Sequence, residues 1–247
     1  MSDNSIFNIE KEDDYSDEIV SLEDRMKNYE LKYDIIIPIN HYFCIKIDGH
    51  DFSKFTEDLI KPYDKNFLKA MIFTAYDALC EFNAVSAYTQ NDEIILIFNL
   101  PDSEKKQCHV CNGLVQKLVS LTASFVSIRF NNYFEIFMRD YIINNPEQDI
   151  YKHKILDKNN KRTAYFDAKI LSFRQESKNE ILNYLIWRSV SDCYHNAIRA
   201  HAFNILGKNK IKNLSIIKII KLMEEKNFSW ENDVPSWQKY GIFIKKN

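Results

Sequence analysis

The tightest constraint on this chain is the order in which two hydrophobic periods alternate through its first 175 residues. "YFCIKID" is rich in β-branched and aromatic residues and reads as a buried strand that Gly49 ends. "KPYDKNFLKAMIFTAYDALCEF" follows, with Phe67, Leu68, Met71, Ile72, Ala75 and Leu79 at helical spacing and Pro62 just ahead of them. "VSAYTQ" and "EIILIFNL" are two strands parted only by Asn91 and Asp92, a hairpin signal. A second helix is expected from about Ser103 to Phe125, where Leu114, Val115, Leu118, Leu121 and Phe125 share a face, and "FDAKILSF" supplies a fourth strand. The order β-α-β-β-α-β predicts an α+β fold of the ferredoxin-like, split type, with an antiparallel sheet carrying two helices on one face.

Around this block the pattern changes. Residues 1–18 are acidic and aperiodic and read as a flexible tail. "SLEDRMKNYEL" predicts a short helix, with Ser21 as its cap and Asp24 closing a capping box. After residue 175 comes a long helix, about Lys178 to Leu206, striped by Ile181, Leu182, Leu185, Ile186, Val190, Cys193 and Ala197. The closing segment mixes turn residues with one last strand. The expected organisation is a tail over 1–18, a catalytic domain over 19–175 and a helical extension over 176–247.

Charge and cysteines narrow the function classes. The net charge is −2, so no overall basic field recruits a polyanion, and any such site must be a local patch. The first thirty residues carry ten acids against three bases, whereas the last forty hold nine lysines and four acids. The end of the chain is therefore the better candidate for meeting phosphates. Five cysteines without a regular framework, and no signal-like apolar start, predict a reducing, cytoplasmic setting. No apolar run approaches the ~20 residues of a membrane span. Cys108 and Cys111 have a CxxC spacing but no second pair of ligands, so they are expected as buried thiols on a helix.

The chemistry-bearing residues are Asp48, at the end of the first strand, and Asp92, in the hairpin turn. In a β-α-β-β unit these two positions lie side by side. Two carboxylates, with the Gly49 carbonyl, would make an oxygen-rich site suited to Mg²⁺ that substrate phosphates complete. Two such ions can stabilise the attacking and leaving oxygens of a phosphoryl displacement, the arrangement of a polymerase palm. A glycine after Asp48 would let a triphosphate approach and would permit positive φ. The same residues also suit plain turns. Glu93 either supports the site from behind or is solvated. Lys117 and Ser120, three apart on the second helix, either grip phosphate or face water. Lys61 and Asp64 flank a helix start, which favours anions, and Asp64 equally suits a cap. His195 and Asn196, beside Asp192 and Arg199 and near Arg188, form either a wet helix face or an RNA contact.

Taken in order, "LEDRMKNYE", "KIDGHDFSKF", "KPYDKNFLKAM", "YTQNDEIILIF", "LVQKLVSLTAS", "FDAKI", "NYLIWRSVSD" and "FSWENDVPSWQKYG" resemble the tRNA-His guanylyltransferase family, most closely its guanylyltransferase-like branch. The resemblance implies a 3′-to-5′ polymerase that adds nucleotides to the 5′ end of tRNA or tRNA-like RNA, with two Mg²⁺ ions and ATP or GTP activating the 5′ phosphate. It also implies a homotetramer. By resemblance, Asp48, Gly49 and Asp92 hold metal, with Glu93 the acid beside them. His50, Asp51, Phe52, Ser53 and Asn91 form the nucleotide-contacting turn, and Lys117 and Ser120 match triphosphate-side positions. Lys169, Arg188, His195 and Asn196 are the expected RNA contacts.

The departures are specific. Lys46 and His50 stand where arginines are usual, as does Lys169, and Leu114 replaces a frequent arginine outright. Asn91 replaces a serine, and "DCYHNAI" lacks a paired asparagine, which favours 5′-end repair over tRNA-His identity. A catalytically weakened RNA-binding homologue and a palm-fold nucleotide cyclase are the rival readings.

Overall fold

The structure, a computed structural model, describes residues 20–147, 151 and 163–246. The tail expected over 1–18 lies outside the described residues. The described residues divide between Asp34 and Ile35 into two units. In the first, Ser21 caps α1 (Leu22–Leu31) as expected, its hydroxyl oxygen accepting from the Asp24 N–H, but the box expected with Asp24 closes differently: the Asp24 carboxylate accepts from the Ser21 O–H at 2.6 Å.

The second unit is built on five strands, β1 (His41–His50), β2 (Ser86–Gln90), β3 (Glu93–Phe98), β4 (Tyr165–Arg174) and β5 (Ile242–Lys245). They lie in the order β4-β1-β3-β2-β5, every neighbouring pair antiparallel. The first four reproduce the split unit read from the sequence, and the last strand of the chain adds to its β2 edge.

Strand alternation divides the sheet into two unlike faces. Phe43, Ile45 and Ile47 of β1 and Ile94, Leu96 and Phe98 of β3 point to one side, into the main core. That side carries α2 (Phe52–Phe55), α3 (Lys65–Glu81) and α4 (Val115–Asn144). Phe52, Phe55, Phe67, Phe130, Phe134 and Phe166 interlock there with ring centroids 4.9 to 6.1 Å apart. Each such pair contributes roughly 0.5–1.5 kcal/mol beyond the area it buries.

The other side is covered by the long helix, which runs as α5 (Asn179–Ile186), a π-helical segment (Trp187–Cys193) and α6 (Tyr194–Leu206). Ile181 and Leu185 pack there on Cys44, Tyr88, Ile95 and Ile97. Beyond it, α7 (Lys208–Ile211), α8 (Ile216–Glu224), α9 (Trp230–Asp233) and α10 (Ser236–Tyr240) close a second small core around Ala197, Ile198, Ile219, Met223 and Trp230. These short helices were not legible as such in the sequence.

Three expectations are corrected. Gly49 does not end β1, which continues through it to His50. The second helix starts at Val115 rather than Ser103 and runs on to Asn144. Cys111, Asn112 and Gly113 take φ of 52°, 54° and 73°, a left-handed run no α-helix passes through. The thiols of the CxxC pair are accordingly not on a helix, and Cys108 is exposed.

Candidate active site

Asp48 sits two residues before the end of β1, in register with Glu93 on β3 and with Asp167 on β4. Alternation places it with Lys46 on the face opposite the phenylalanine core. Asp92 shares the two-residue hairpin loop with Asn91, whose φ of 46° is a conformation asparagine tolerates. The Gly49 N–H donates to the Asp92 carbonyl at 3.1 Å, which fastens the end of β1 to the tip of the hairpin. Burial pushes the Asp92 carboxyl up to about 6, and the negative charge of Asp48 adds to the rise, while its own backbone hydrogen bond and Lys46 oppose it.

Beneath the two aspartates lies an ion network. The buried Lys46 ammonium donates to Asp48 at 2.6 Å and to Glu93 at 2.8 Å. Arg188 holds the other Glu93 oxygen and reaches Asp192 at 2.9 Å. The Gln90 amide donates to Glu93 at 3.3 Å and to Asp192 at 3.1 Å. Both Arg188 and Asp192 belong to the π-helical segment, a local widening that recurs at functional sites. Two cations against the four carboxylates of Asp48, Asp92, Glu93 and Asp192 leave two negative charges uncompensated. Gln90 also keeps a buried carbonyl oxygen with no hydrogen-bond partner. Among the described residues no cluster of three or more carboxylate, histidine or cysteine side chains makes a ready-built metal site, so a hard divalent cation such as Mg²⁺ would rest on the Asp48 and Asp92 carboxylates and take its other oxygen ligands from water or phosphate.

A cavity of 320 Å³ opens beside Asp92, lined by Asn91, Phe52, Ser53, Lys61, Trp237 and Gln238 among others. Its volume is that of a small-molecule site. Gly49 shapes it in a way the sequence did not suggest. The φ of Gly49 is not positive, and a Cβ there would lie 2.4 Å from the Phe52 ring. The glycine makes room for that ring, whose burial in the aromatic cluster pins the turn at residues 50–53 against the strand end. Cys193 also lines the cavity, but burial pushes its thiol up to about 11, which removes it as a nucleophile at neutral pH.

The expected site residues fall into two groups. Asp48, Gly49, Asp92, Asn91, Glu93, Phe52, Ser53 and Lys61 are gathered at or beside the cavity. Asp51, at φ 55°, caps α2 and pairs with Lys54 at 2.7 Å, and His50 is exposed at the end of β1. Asp64 lines the same cavity and also caps α3: its oxygens accept from the N–H groups of Ile60, Asn66 and Phe67 and from the Tyr151 hydroxyl.

Lys117 and Ser120 are not brought to the aspartates. They are exposed on the first turns of α4, where Val115 bonds to Ile35, while the Phe52 turn packs on Phe130. Thirteen residues separate Lys117 from Phe130, about 20 Å at 1.5 Å each. Arg188, expected at RNA, is instead buried in the ion network. Lys169, His195 and Asn196 are exposed, the first across from Lys46 on β4 and the other two on α6. Sequence reasoning missed Gln90, Asp192, Trp237 and Gln238. Only the two-residue alternation from Asp48 back to Lys46 would have found part of the network.

Residues 23–174 match the family model described as tRNAHis guanylyltransferase. The chain belongs to that family. It is a tRNA-His guanylyltransferase-like nucleotidyltransferase. A bacterial tRNA(His) guanylyltransferase-like protein in complex with ATP is 30% identical, with a TM-score of 0.74 over 92% of this chain and 87% of that one. A second such structure, in complex with GTP, is 26% identical with a TM-score of 0.67, over 91% and 84%. The tRNA(His) guanylyltransferase of Saccharomyces cerevisiae shares the fold at 21% identity and a TM-score of 0.68, over 88% and 91%. An uncharacterized protein of Acanthamoeba polyphaga mimivirus is 46% identical over 90% of this chain and 76% of its own length. Among the described residues no helix is long and apolar enough to cross a membrane.

Proposed function

We propose that this enzyme adds nucleotides in the 3′-to-5′ direction to the 5′ end of a tRNA or tRNA-like RNA, as 5′-end repair or as addition of a single guanylate. The observation that carries the reading is that Asp92, near enough to Asp48 to feel its charge and tied to the end of β1 through the Gly49 N–H, lines a cavity walled by Asn91, Ser53 and Lys61. The ATP and GTP complexes of the bacterial relatives support a nucleoside triphosphate as its occupant.

Asp48, Asp92 and the Gly49 carbonyl would hold Mg²⁺, two ions in the full reaction, which neutralises phosphate charge and lowers the barrier to displacement at phosphorus. The chain's own residues position the reactants. Phe52 and the turn it anchors form one wall for the nucleotide, and Lys61 offers a positive charge to its phosphates. Glu93, clamped between Lys46 and Arg188, keeps the hairpin tip in place from below. The reaction balances in two displacements. A 5′-phosphate oxygen of the RNA attacks the α-phosphorus of ATP or GTP and expels pyrophosphate. The 3′-hydroxyl of the next nucleoside triphosphate then attacks the activated 5′ phosphorus, loses its proton to solvent and expels the nucleoside monophosphate.

The test is extension of 5′-monophosphorylated and 5′-triphosphorylated tRNA lacking its first nucleotide, with each nucleoside triphosphate supplied separately. One-nucleotide lengthening by the wild-type chain, absent with Asp92→Ala, is the expected result. Retardation of the RNA without lengthening would make this a binding protein, and a cyclic product formed without RNA would make it a cyclase.

A further inference from the structure

The closing helices carry a charged surface that the active site does not use. Residues 208–221 hold five lysines, Lys208, Lys210, Lys212, Lys218 and Lys221, and no acid, in a chain whose net charge is −2. All five are exposed, and none has an ion-pair partner among the described residues. Other lysines of the chain are engaged: Lys46 and Lys239 are buried and paired. The free lysines sit on α7, on the loop after it and on the outer face of α8.

Basic amphipathic helices serve either membranes or polyanions. The fold decides between them. Ile219 and Met223, on the opposite face of α8, are buried against Ala197, Ile198 and Trp230, so the apolar face a membrane would require is already covered. Apart from Ile217, what α8 presents to solvent alongside these lysines is charge rather than a continuous apolar face. We infer that the lysine surface of α7 and α8 docks the phosphate backbone of the RNA at a distance from the reacting 5′ end, an inference that rests on the function proposed above.

The distance follows from the long helix. Asp192, at the end of the π-helical segment, is bonded to Gln90 of the hairpin. From there α6 runs 13 residues, about 20 Å, before the first of the lysines, and its last six residues, about 9 Å, lie beyond Ala200, which still lines the cavity. The surface therefore meets the body of a structured RNA and not its terminal nucleotide. Contacts to phosphates are blind to sequence and are lost in proportion to salt.

The experiment compares the full-length protein with K208Q/K210Q/K212Q and K218Q/K221Q variants, and with K218R/K221R as the charge-preserving control. Binding of 5′-monophosphorylated tRNA is followed from 50 to 200 mM KCl. Each lysine in contact should contribute roughly 0.9 to the slope of log affinity against log salt, so the triple variant should lose about 2 to 3 from it and the arginine control nothing. The turnover rate at saturating RNA, and the binding of nucleoside triphosphate, should not change.

Equal affinity and slope in wild type and variants would overturn the inference, even if the wild type extends tRNA and the functional reading stands. Retention on phosphatidylserine vesicles that only the variants lose, with RNA binding intact, would overturn it in favour of a membrane. Binding that responds to the lysines in a protein that never lengthens RNA would leave the surface standing and remove the polymerase reading. Failure of the wild type to bind any tRNA would remove both.

Discussion

The two faces of the strand pair β1–β3 solve opposite problems with the same backbone. On one, Phe43, Ile45, Ile47, Ile94, Leu96 and Phe98 disappear into hydrocarbon and six interlocked phenylalanines. On the other, Lys46, Asp48 and Glu93 are lodged in a network that Arg188, Asp192 and Gln90 complete. The first face is stabilising throughout. The second gathers like charges at the hairpin tip and leaves the Asp92 carboxylate half-buried, outside the ion pairs of that network and beside the charge of Asp48, an arrangement that costs stability until a cation arrives. The lesson is that stability and activity should separate by face, and substitutions can be chosen to break that separation.

The largest effect should come from the charged side. Asp92→Ala should lower nucleotide incorporation by about 10²- to 10³-fold or more, with an unchanged circular dichroism spectrum. Normal incorporation would show that the two faces do not divide the work. Next in size are a pair of stability changes, read by urea denaturation. Arg188→Met removes the cation that Asp192 pairs with and one of the two that hold Glu93, and should cost about 3–5 kcal/mol. Phe134→Ala in the aromatic cluster should cost a similar 3–5 kcal/mol, yet leave turnover per folded molecule intact. Arg188→Met should reduce that turnover as well.

Gly49→Ala tests the seam between the faces. Its methyl would meet the Phe52 ring, so a loss of roughly 1–3 kcal/mol from overpacking should appear together with a raised KM for nucleoside triphosphate. The last effect concerns pH. The folded Asp92 titrates at about 6 against a usual 3.8, so the folded state binds its proton more tightly and ionisation destabilises it. That cost is absent below about pH 4, grows through the window up to 6 and is complete above it. In metal-free buffer, Asp92→Asn should therefore be more stable than wild type by up to about 3 kcal/mol at pH 7.5. The two proteins should converge near pH 4, as chemical denaturation across that range would show.

What the sequence made legible was local. The alternation in "YFCIKID" and "EIILIF", the helical spacing of Phe67 to Leu79 and the caps at Ser21 and Asp64 each act within a few residues. Asp48 and Asp92 were legible because a strand end and a hairpin tip become neighbours in any split unit. The start of α4 was not, because the left-handed run at Cys111–Gly113 is held by pairing with Ile35–Ile37, far away in the chain. Nor was the role of Gly49, since the atom it avoids belongs to a ring three residues later. Arg188 and Asp192 were visible on the long helix, but not their pairing with Glu93 and Gln90, because the π-helical segment shifts the phase of a helix whose 3.6-residue stripe otherwise reads cleanly. Lys117 misled because spacing along a helix says nothing about which end of the sheet that helix turn meets.

Binding of Mn²⁺, followed by electron paramagnetic resonance in the presence of nucleoside triphosphate, tests most directly whether Asp48 and Asp92 share a divalent ion. Wild type should show saturable binding that Asp48→Asn and Asp92→Asn each weaken by at least tenfold, a loss of about 1.4 kcal/mol or more. Wild-type affinity in both single variants would contradict a shared site.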